Sequence, residues 1–227
     1  MNGSALITGA ATRIGKEIAL GLAALGNNIV VHYMSSKEQA EQVVREARLY
    51  GVQAESIKAD LLNDNEVDGL ISKASGLVGS PLNILVNNAS IFEYDNIETV
   101  SIKSWNRHIG SNLKAPLFLM QEFSKQVCEG GVDSNGENMP HGNVVNIVDQ
   151  RVLKKTPEFF TYSLAKMGLW SMTQIAAQAL APKIRVNAIA PGPTLKGHRQ
   201  EKAQFERQRR STILKRGSAP VEILEAM

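Results

Sequence analysis

The sequence predicts an α/β fold: a doubly wound, Rossmann-like parallel sheet in three layers, forming a single domain over residues 1–227. Three observations carry this. Short runs rich in Val and Ile alternate with segments of helical period, as right-handed βαβ units covered on both faces require. A glycine-bearing turn, TGAATRIG, joins the first such run to the first helix. A hydrophobic fraction of 43% with 21% charged residues suits one large core and excludes a disordered or fibrous chain.

In chain order, the apolar runs predict strands over 5–8, 28–33, 53–58, 83–87, 143–148 and 184–190. Helical periodicity predicts helices over 13–26, 36–50, 63–78, 99–128 with a break near Ser111, 159–181 and 198–210, and a short last one after Pro220. The polar stretch EGGVDSNGENMPHG, 129–142, is expected to be a mobile surface loop. The single cysteine, Cys128, falls in a helical pattern and is expected to be a buried structural thiol. One cysteine forbids an intrachain disulfide and fits a reducing cytoplasm. No apolar run approaches the roughly 20 residues that cross a bilayer, so no membrane partner is expected. The first residues lack the pattern of an export signal, so a cytoplasmic location is expected.

The net charge of +3 is uneven: residues 196–216 hold eight Lys/Arg against two Glu. Such a stretch is either a solvated helix face or an attractor for an anionic substrate, a phosphate or a nucleic acid.

The turn after the first strand places Gly9 and the helix start at Arg13–Gly15 where unpaired N–H groups and the helix dipole suit a pyrophosphate. An enzyme preferring NAD usually ends its second strand on an acid that holds the ribose 2′-hydroxyl. Here VVHYMSSK offers His32, Ser35, Ser36 and Lys37 and no acid, which favours a 2′-phosphate and hence NADP(H). Ser35 or Ser36 would also cap the next helix. Asp60, in KADLL, suits either the adenine amine or the cap of the helix that follows.

Tyr162 and Lys166 lie four apart on a predicted helix and therefore share a face, about 6 Å apart along its axis. An ammonium near a phenol lowers its pKa, so the pair suits proton transfer to a carbonyl or imine while a hydride arrives. Asp149 ends an apolar strand, NVVNIVDQ, where an unpaired carboxylate is costly.

TGAATRIG, NNAS at 87–90, Asn112 in SNLKAP, YSLAK and RVNAIAPGP follow one another at separations that resemble the short-chain dehydrogenase/reductase family over nearly the whole chain. The resemblance implies an enzyme binding a nicotinamide dinucleotide, with Asn112, Tyr162 and Lys166 matching the family's catalytic Asn, Tyr and Lys. Lys166 would also hold the nicotinamide ribose, and Asn112 would organise a water in a proton relay. It implies a cofactor site along Gly9, Arg13, Ile14, Gly15, His32, Tyr33, Ser36, Asp60, Leu61, Asn88, Ala89, Ser90, Lys166, Pro191, Gly192 and Thr194.

Three departures resemble one branch, the pteridine reductases and bacterial dihydromonapterin reductases: Arg13 and Ser90 replace glycines, and Asp149 replaces a serine. The His32–Tyr33–Ser36 pattern and Phe92 look like that branch too. The resemblance implies a pterin ring between Phe92 and the nicotinamide, Arg13 touching cofactor phosphate and pterin, Ser90 close to both, and Asp149 and Tyr162 serving the proton transfers. Structurally, Phe92 could instead be core or pocket wall, Arg13 an ion-pair partner, and Asp149 a strand-end cap or a partner of Arg151.

The expected function is NADPH-dependent reduction of a pterin-like C=N bond in a small-molecule substrate. A carbonyl or 3-oxoacyl-(acyl-carrier-protein) reductase is the alternative, with 196–216 docking an acidic carrier protein. A non-catalytic dinucleotide sensor or nucleic-acid binder is the third reading, disfavoured by the intact Asn112, Tyr162 and Lys166 set. The family implies a homotetramer, formed in part by a seventh strand and glycine-rich ending that these 227 residues do not include.

Overall fold

In the computed structural model, which describes residues 3–197 and 200–227, six strands form one all-parallel sheet in the order β3-β2-β1-β4-β5-β6. They are β1 (Ser4–Ile7), β2 (Asn28–Tyr33), β3 (Ala54–Lys58), β4 (Ile84–Asn87), β5 (Gly142–Ile147) and β6 (Ile184–Ile189). Helices α1 (Arg13–Ala24), α2 (Lys37–Arg48), α3 (Asp64–Val67), α4 (Leu70–Leu77), α5 (Ile102–Ile109), α6 (Ala115–Gln126), α7 (Phe160–Leu180), α8 (Lys202–Arg210) and α9 (Pro220–Glu225) complete the chain. No helix among the described residues is long and apolar enough to cross a membrane.

Because successive strand side chains point to opposite faces, each buried strand feeds two cores. Ile7, Ile29, Val31, Val145 and Ile147 pack beneath α1 and α2, with Ile18 and Val43. Leu6, Val30, Leu85 and Val144 pack on the other face against α4 and α6, with Ile71 and Phe123. Strand order reverses between β1 and β4, and the crevice beyond their carboxyl ends is where an open α/β sheet takes its ligands.

Three local expectations change. The helix expected over 63–78 is two helices, because Gly69 turns left-handed (φ 71°) after Asp68 leaves the helix at ψ 127°. The break expected near Ser111 is a π-helical turn, Gly110–Lys114, continuous with α5 and α6. Cys128 is exposed, since α6 ends at Gln126 and Val127 takes the last buried position. The stretch 129–142 lies largely at the surface, as expected, with local order: Asp133 accepts the N–H groups of Asn135 and Glu137, and Val132 bridges Asn138. Of the helix expected over 198–210, its first two residues, His198 and Arg199, lie outside the described residues.

Candidate active site

Most of the candidate site residues gather at the carboxyl ends of the strands, chiefly those of β1, β4, β5 and β6. The β1 and β4 ends are clamped together. Thr8 Oγ1 accepts the N–H groups of Asn88 (2.9 Å) and Ala89 (3.0 Å), and Asn88 Nδ2 donates to the carbonyls of Thr8 (2.8 Å) and Gly9 (3.1 Å). Gly9 takes φ 62°, and a Cβ there would stand 2.9 Å from Ala89 Cα. A Cβ on Gly15 would meet Asn88 Nδ2 and the Gly9 carbonyl at 2.5 Å. Only glycine fits either place. The result is an α1 amino terminus drawn tight against the strand ends, its first-turn N–H groups from Arg13 to Gly15 lacking intrahelical partners. That cradle fits a dinucleotide's pyrophosphate, by its dipole as by its donors.

His32 does not end in that cradle. It is buried, accepting the Gly9 N–H on Nδ1 (3.0 Å), so its Nε2–H donates to the Ala59 carbonyl (3.0 Å). Burial lowers its pKa from 6.5 to about 4, so the ring is a neutral brace between the β1, β2 and β3 ends and no cation for a 2′-phosphate. Tyr33 is buried beside it, whereas Ser36, at the start of α2, is half-buried and makes no side-chain cap bond. Asp60 folds an Asx turn, accepting the Leu62 N–H at 2.9 Å, while Asn63 caps α3. The buried Leu61 lies between them.

Arg13 stands left-handed (φ 58°) at the head of α1. Its guanidinium donates to the carbonyls of Lys196 (2.8 Å) and Leu195 (3.0 Å). It forms no ion pair among the described residues; instead it straps the cradle to the segment after β6. In that segment Thr194 is pinned through its Oγ1, 2.6 Å from Ser218 Oγ, and Gly192 passes Gln150, beside the β5 end. Pro191, just before Gly192, is half-buried.

At the β5 end the catalytic candidates converge. Tyr162 Oη donates to Asp149 Oδ2 at 2.9 Å. Lys166 is buried, its Nζ donating to the Ile147 carbonyl at 2.7 Å and lying 5.9 Å from the Tyr162 ring centre. Burial lowers Lys166 from 10.5 to about 8, with Asp149 opposing. Tyr162 moves the other way from the sequence expectation. Burial and then the Asp149 carboxylate hold its pKa well above the usual phenol value, with Arg151 and Ser90 partly opposing. Lys166 therefore does not prepare a phenolate in this state. The Tyr162 proton is kept and pointed at Asp149.

Asn112 sits in the π-helical turn, fully buried, its Oδ1 accepting the Ile91 N–H (2.9 Å) and its Nδ2 donating to the Ile91 carbonyl (2.8 Å). Its side chain positions the segment bearing Ser90 and Phe92. Ser90 is exposed at the crevice. Phe92 is half-exposed, standing edge-on to Tyr162 with ring centres 4.7 Å apart. One face of Phe92 is covered by Phe159, stacked at 4.3 Å, so a ring between Phe92 and a nicotinamide would take the opposite face.

Sequence reasoning missed the scaffold behind this wall. The Asp95 carboxylate accepts both the N–H (3.1 Å) and the hydroxyl of Thr161, at the first turn of α7. That hydroxyl being spent as a donor, His108 Nδ1–H must donate to it (2.7 Å), leaving Nε2 to accept the Glu93 N–H (3.1 Å). This buried chain ties the backbone beside Phe92 to the backbone beside Tyr162. Phe159 was missed as well, and Arg151 was read only as a possible partner of Asp149. The one sequence signal available was the position of these side chains just before or after residues already singled out.

A family profile described as short chain dehydrogenase matches residues 4–207. The 3-oxoacyl-(acyl-carrier-protein) reductase FabG of Staphylococcus epidermidis is 34% identical over 193 residues, 85% of this chain and 75% of that protein. Among solved structures, FolM alternative dihydrofolate reductase 1 from Brucella suis, in complex with NADP, is 41% identical with a TM-score of 0.90, covering 99% of this chain and 86% of that one. Its counterpart from Brucella canis, also complexed with NADP, is 40% identical with a TM-score of 0.89, covering 99% and 85%.

Proposed function

The chain belongs to the short-chain dehydrogenase family, and on that premise we propose that it is an NADPH-dependent reductase of a pterin-like C=N bond. The observation that carries the substrate class is the 2.9 Å contact between Tyr162 Oη and the Asp149 carboxylate, beside the half-exposed ring of Phe92. A pterin is flat and rich in amide-like groups, so it needs a stacking face and an acceptor for its N–H donors, and this wall offers both. The FolM enzymes, similar over 99% of this chain, support the same reading.

NADP(H) is the cofactor, as in both FolM structures; Gly9, Arg13, Ile14 and Gly15 would hold the pyrophosphate, and Asn88, Ala89, Ser90, Lys166, Pro191, Gly192 and Thr194 would line the nicotinamide half. Tyr33, Ser36, Asp60 and Leu61 would border the adenosine half. When bound there, the reduced nicotinamide supplies the hydride. Tyr162 holds the proton that the substrate nitrogen must receive, because its raised pKa keeps the phenol intact at neutral pH. Asp149 accepts that phenol on Oδ2 and the Arg151 N–H on Oδ1, and the remaining lone pairs of its carboxylate suit a ring N–H. Lys166, with a pKa of about 8, is the nearby group suited to return a proton to Tyr162.

A second reading, reduction of a 3-oxoacyl thioester, is favoured by the FabG relative at 34% identity. NADPH oxidation by the purified protein, followed with 7,8-dihydropterins and with acetoacetyl thioesters side by side, separates the two. Turnover of the dihydropterins is expected; turnover of the thioester alone would replace the first reading by the second.

A further inference from the structure

We infer that Arg151 is a substrate-binding residue, donating hydrogen bonds to an acceptor oxygen of the substrate while Asp149 accepts from it; this rests on the reductase reading above. Arg151 lies in the single turn, Gln150–Val152, that follows β5, and its side chain is only 19% exposed. Its Nε–H is buried and has no hydrogen-bond partner among the described residues. Its Nη1 stands 3.7 Å from Asp149 Oδ1, beyond hydrogen-bond reach, and that same oxygen already accepts the Arg151 backbone N–H at 2.8 Å. The guanidinium lies 4.9 Å from the Phe159 ring centre and 5.7 Å from that of Phe92.

A guanidinium carries five N–H donors in its own plane, and contact with aromatic faces uses none of them. Burying a cation with its donors unmet is costly, and a protein retains one where something else meets them. Here the unmet Nε–H borders the same wall as Asp149, Phe92 and Tyr162. Arg13, the cation that the family resemblance assigns to the substrate, is engaged with the carbonyls of Leu195 and Lys196. Arg151 and Asp149 together present a donor edge and an acceptor edge next to a stacking face, the complement of a planar ring bearing both an oxo group and N–H groups. The acceptor oxygen has two possible sources with one chemistry: a ring carbonyl, or a carboxylate on the substrate's tail.

The test is steady-state kinetics of the wild type, Arg151→Met and Arg151→Lys at saturating NADPH, with 7,8-dihydropterin, which has no tail, with 7,8-dihydrofolate, which has a carboxylate tail, and with acetoacetyl thioester. Loss of a charge-assisted hydrogen bond raises KM about tenfold or more. Arg151→Met is expected to do this for the ring substrates while the KM for NADPH stays put, and Arg151→Lys to recover part of it. A rise with both pterins points to the ring carbonyl; a rise with dihydrofolate alone points to the tail. Thermal unfolding is measured in parallel, because a merely structural cation would lower the melting temperature of Arg151→Met and leave KM unchanged. That result, with the dihydropterins turned over normally, overturns the inference and spares the functional reading. Should the wild type reduce only the thioester, the functional reading falls. The inference is then decided by the thioester's KM, which must rise in Arg151→Met.

Discussion

Lys166→Met isolates the cost of the buried ammonium beside Tyr162. Moving Lys166 from its ordinary 10.5 to about 8 disfavours the charged form in the fold by about 3 kcal/mol. Its folded pKa is depressed, so the unfolded chain binds the extra proton between about pH 8 and 10.5. The wild type therefore gains stability as pH rises through that window and loses it as pH falls toward 8. Between pH 7.5 and 9.5 this amounts to about 2 kcal/mol. Methionine matches the length and fills the volume but cannot titrate. It also leaves the Ile147 carbonyl without its 2.7 Å donor, so absolute stabilities mix two effects whereas the pH dependence reports one. Urea unfolding of both proteins at the two pH values gives the difference directly, since every other titrating group cancels. The wild type should gain about 2 kcal/mol relative to Lys166→Met. Identical pH dependence in the two proteins would refute the assignment of that cost to Lys166.

Other expectations follow from single contacts. His32 has a folded pKa of about 4 against an ordinary 6.5, so its contribution is complete above pH 6.5 and lost as pH falls toward 4, by about 3 kcal/mol. His32→Asn should remove that acid-side loss in urea titrations, and the KM for NADPH should show no imidazole titration between pH 5.5 and 7.5. Asp95→Ala leaves the Thr161 N–H and hydroxyl without their acceptor and should cost about 1–3 kcal/mol in unfolding free energy, with kcat falling as Tyr162 loses its anchor; Asp95→Asn should restore part of both. Phe92→Leu removes the stacking face and should raise the KM for dihydropterins about two- to tenfold, leaving that for NADPH unchanged.

The strands were legible because Val and Ile runs on alternating faces have few other uses, and all six lie within a residue or two of their expected ends. Gly69 was visible but was overridden by a helical period that spans it. The π-helical turn left no mark in periodicity beyond the irregularity at Ser111. At the site, the spacing of Tyr162 and Lys166 gave a shared face, and the family resemblance supplied Asp149. Spacing alone could not show that burial, and then Asp149 accepting the phenol, raise its pKa instead of lowering it. Asp95 and Thr161 meet across 66 residues of chain, and His108 and Thr161 across 53. No local pattern encodes such pairs, because packing of α5 against α7 brings them together. Arg151 was read only as a possible partner for Asp149, and its unmet Nε–H exists only once the fold buries it beside Phe92 and Phe159.

The central claim is that the Asp149 carboxylate makes this site a reductase of pterin-like C=N bonds. Its most direct test is the ratio of kcat/KM for 7,8-dihydropterin to kcat/KM for acetoacetyl thioester, in the wild type and in Asp149→Ser, with NADPH. The ratio should favour the dihydropterin in the wild type and fall by about tenfold or more in Asp149→Ser, as loss of a charged hydrogen-bond partner to one substrate requires. An equal loss on both substrates, or none on either, would contradict it and leave Asp149 a structural partner of Tyr162.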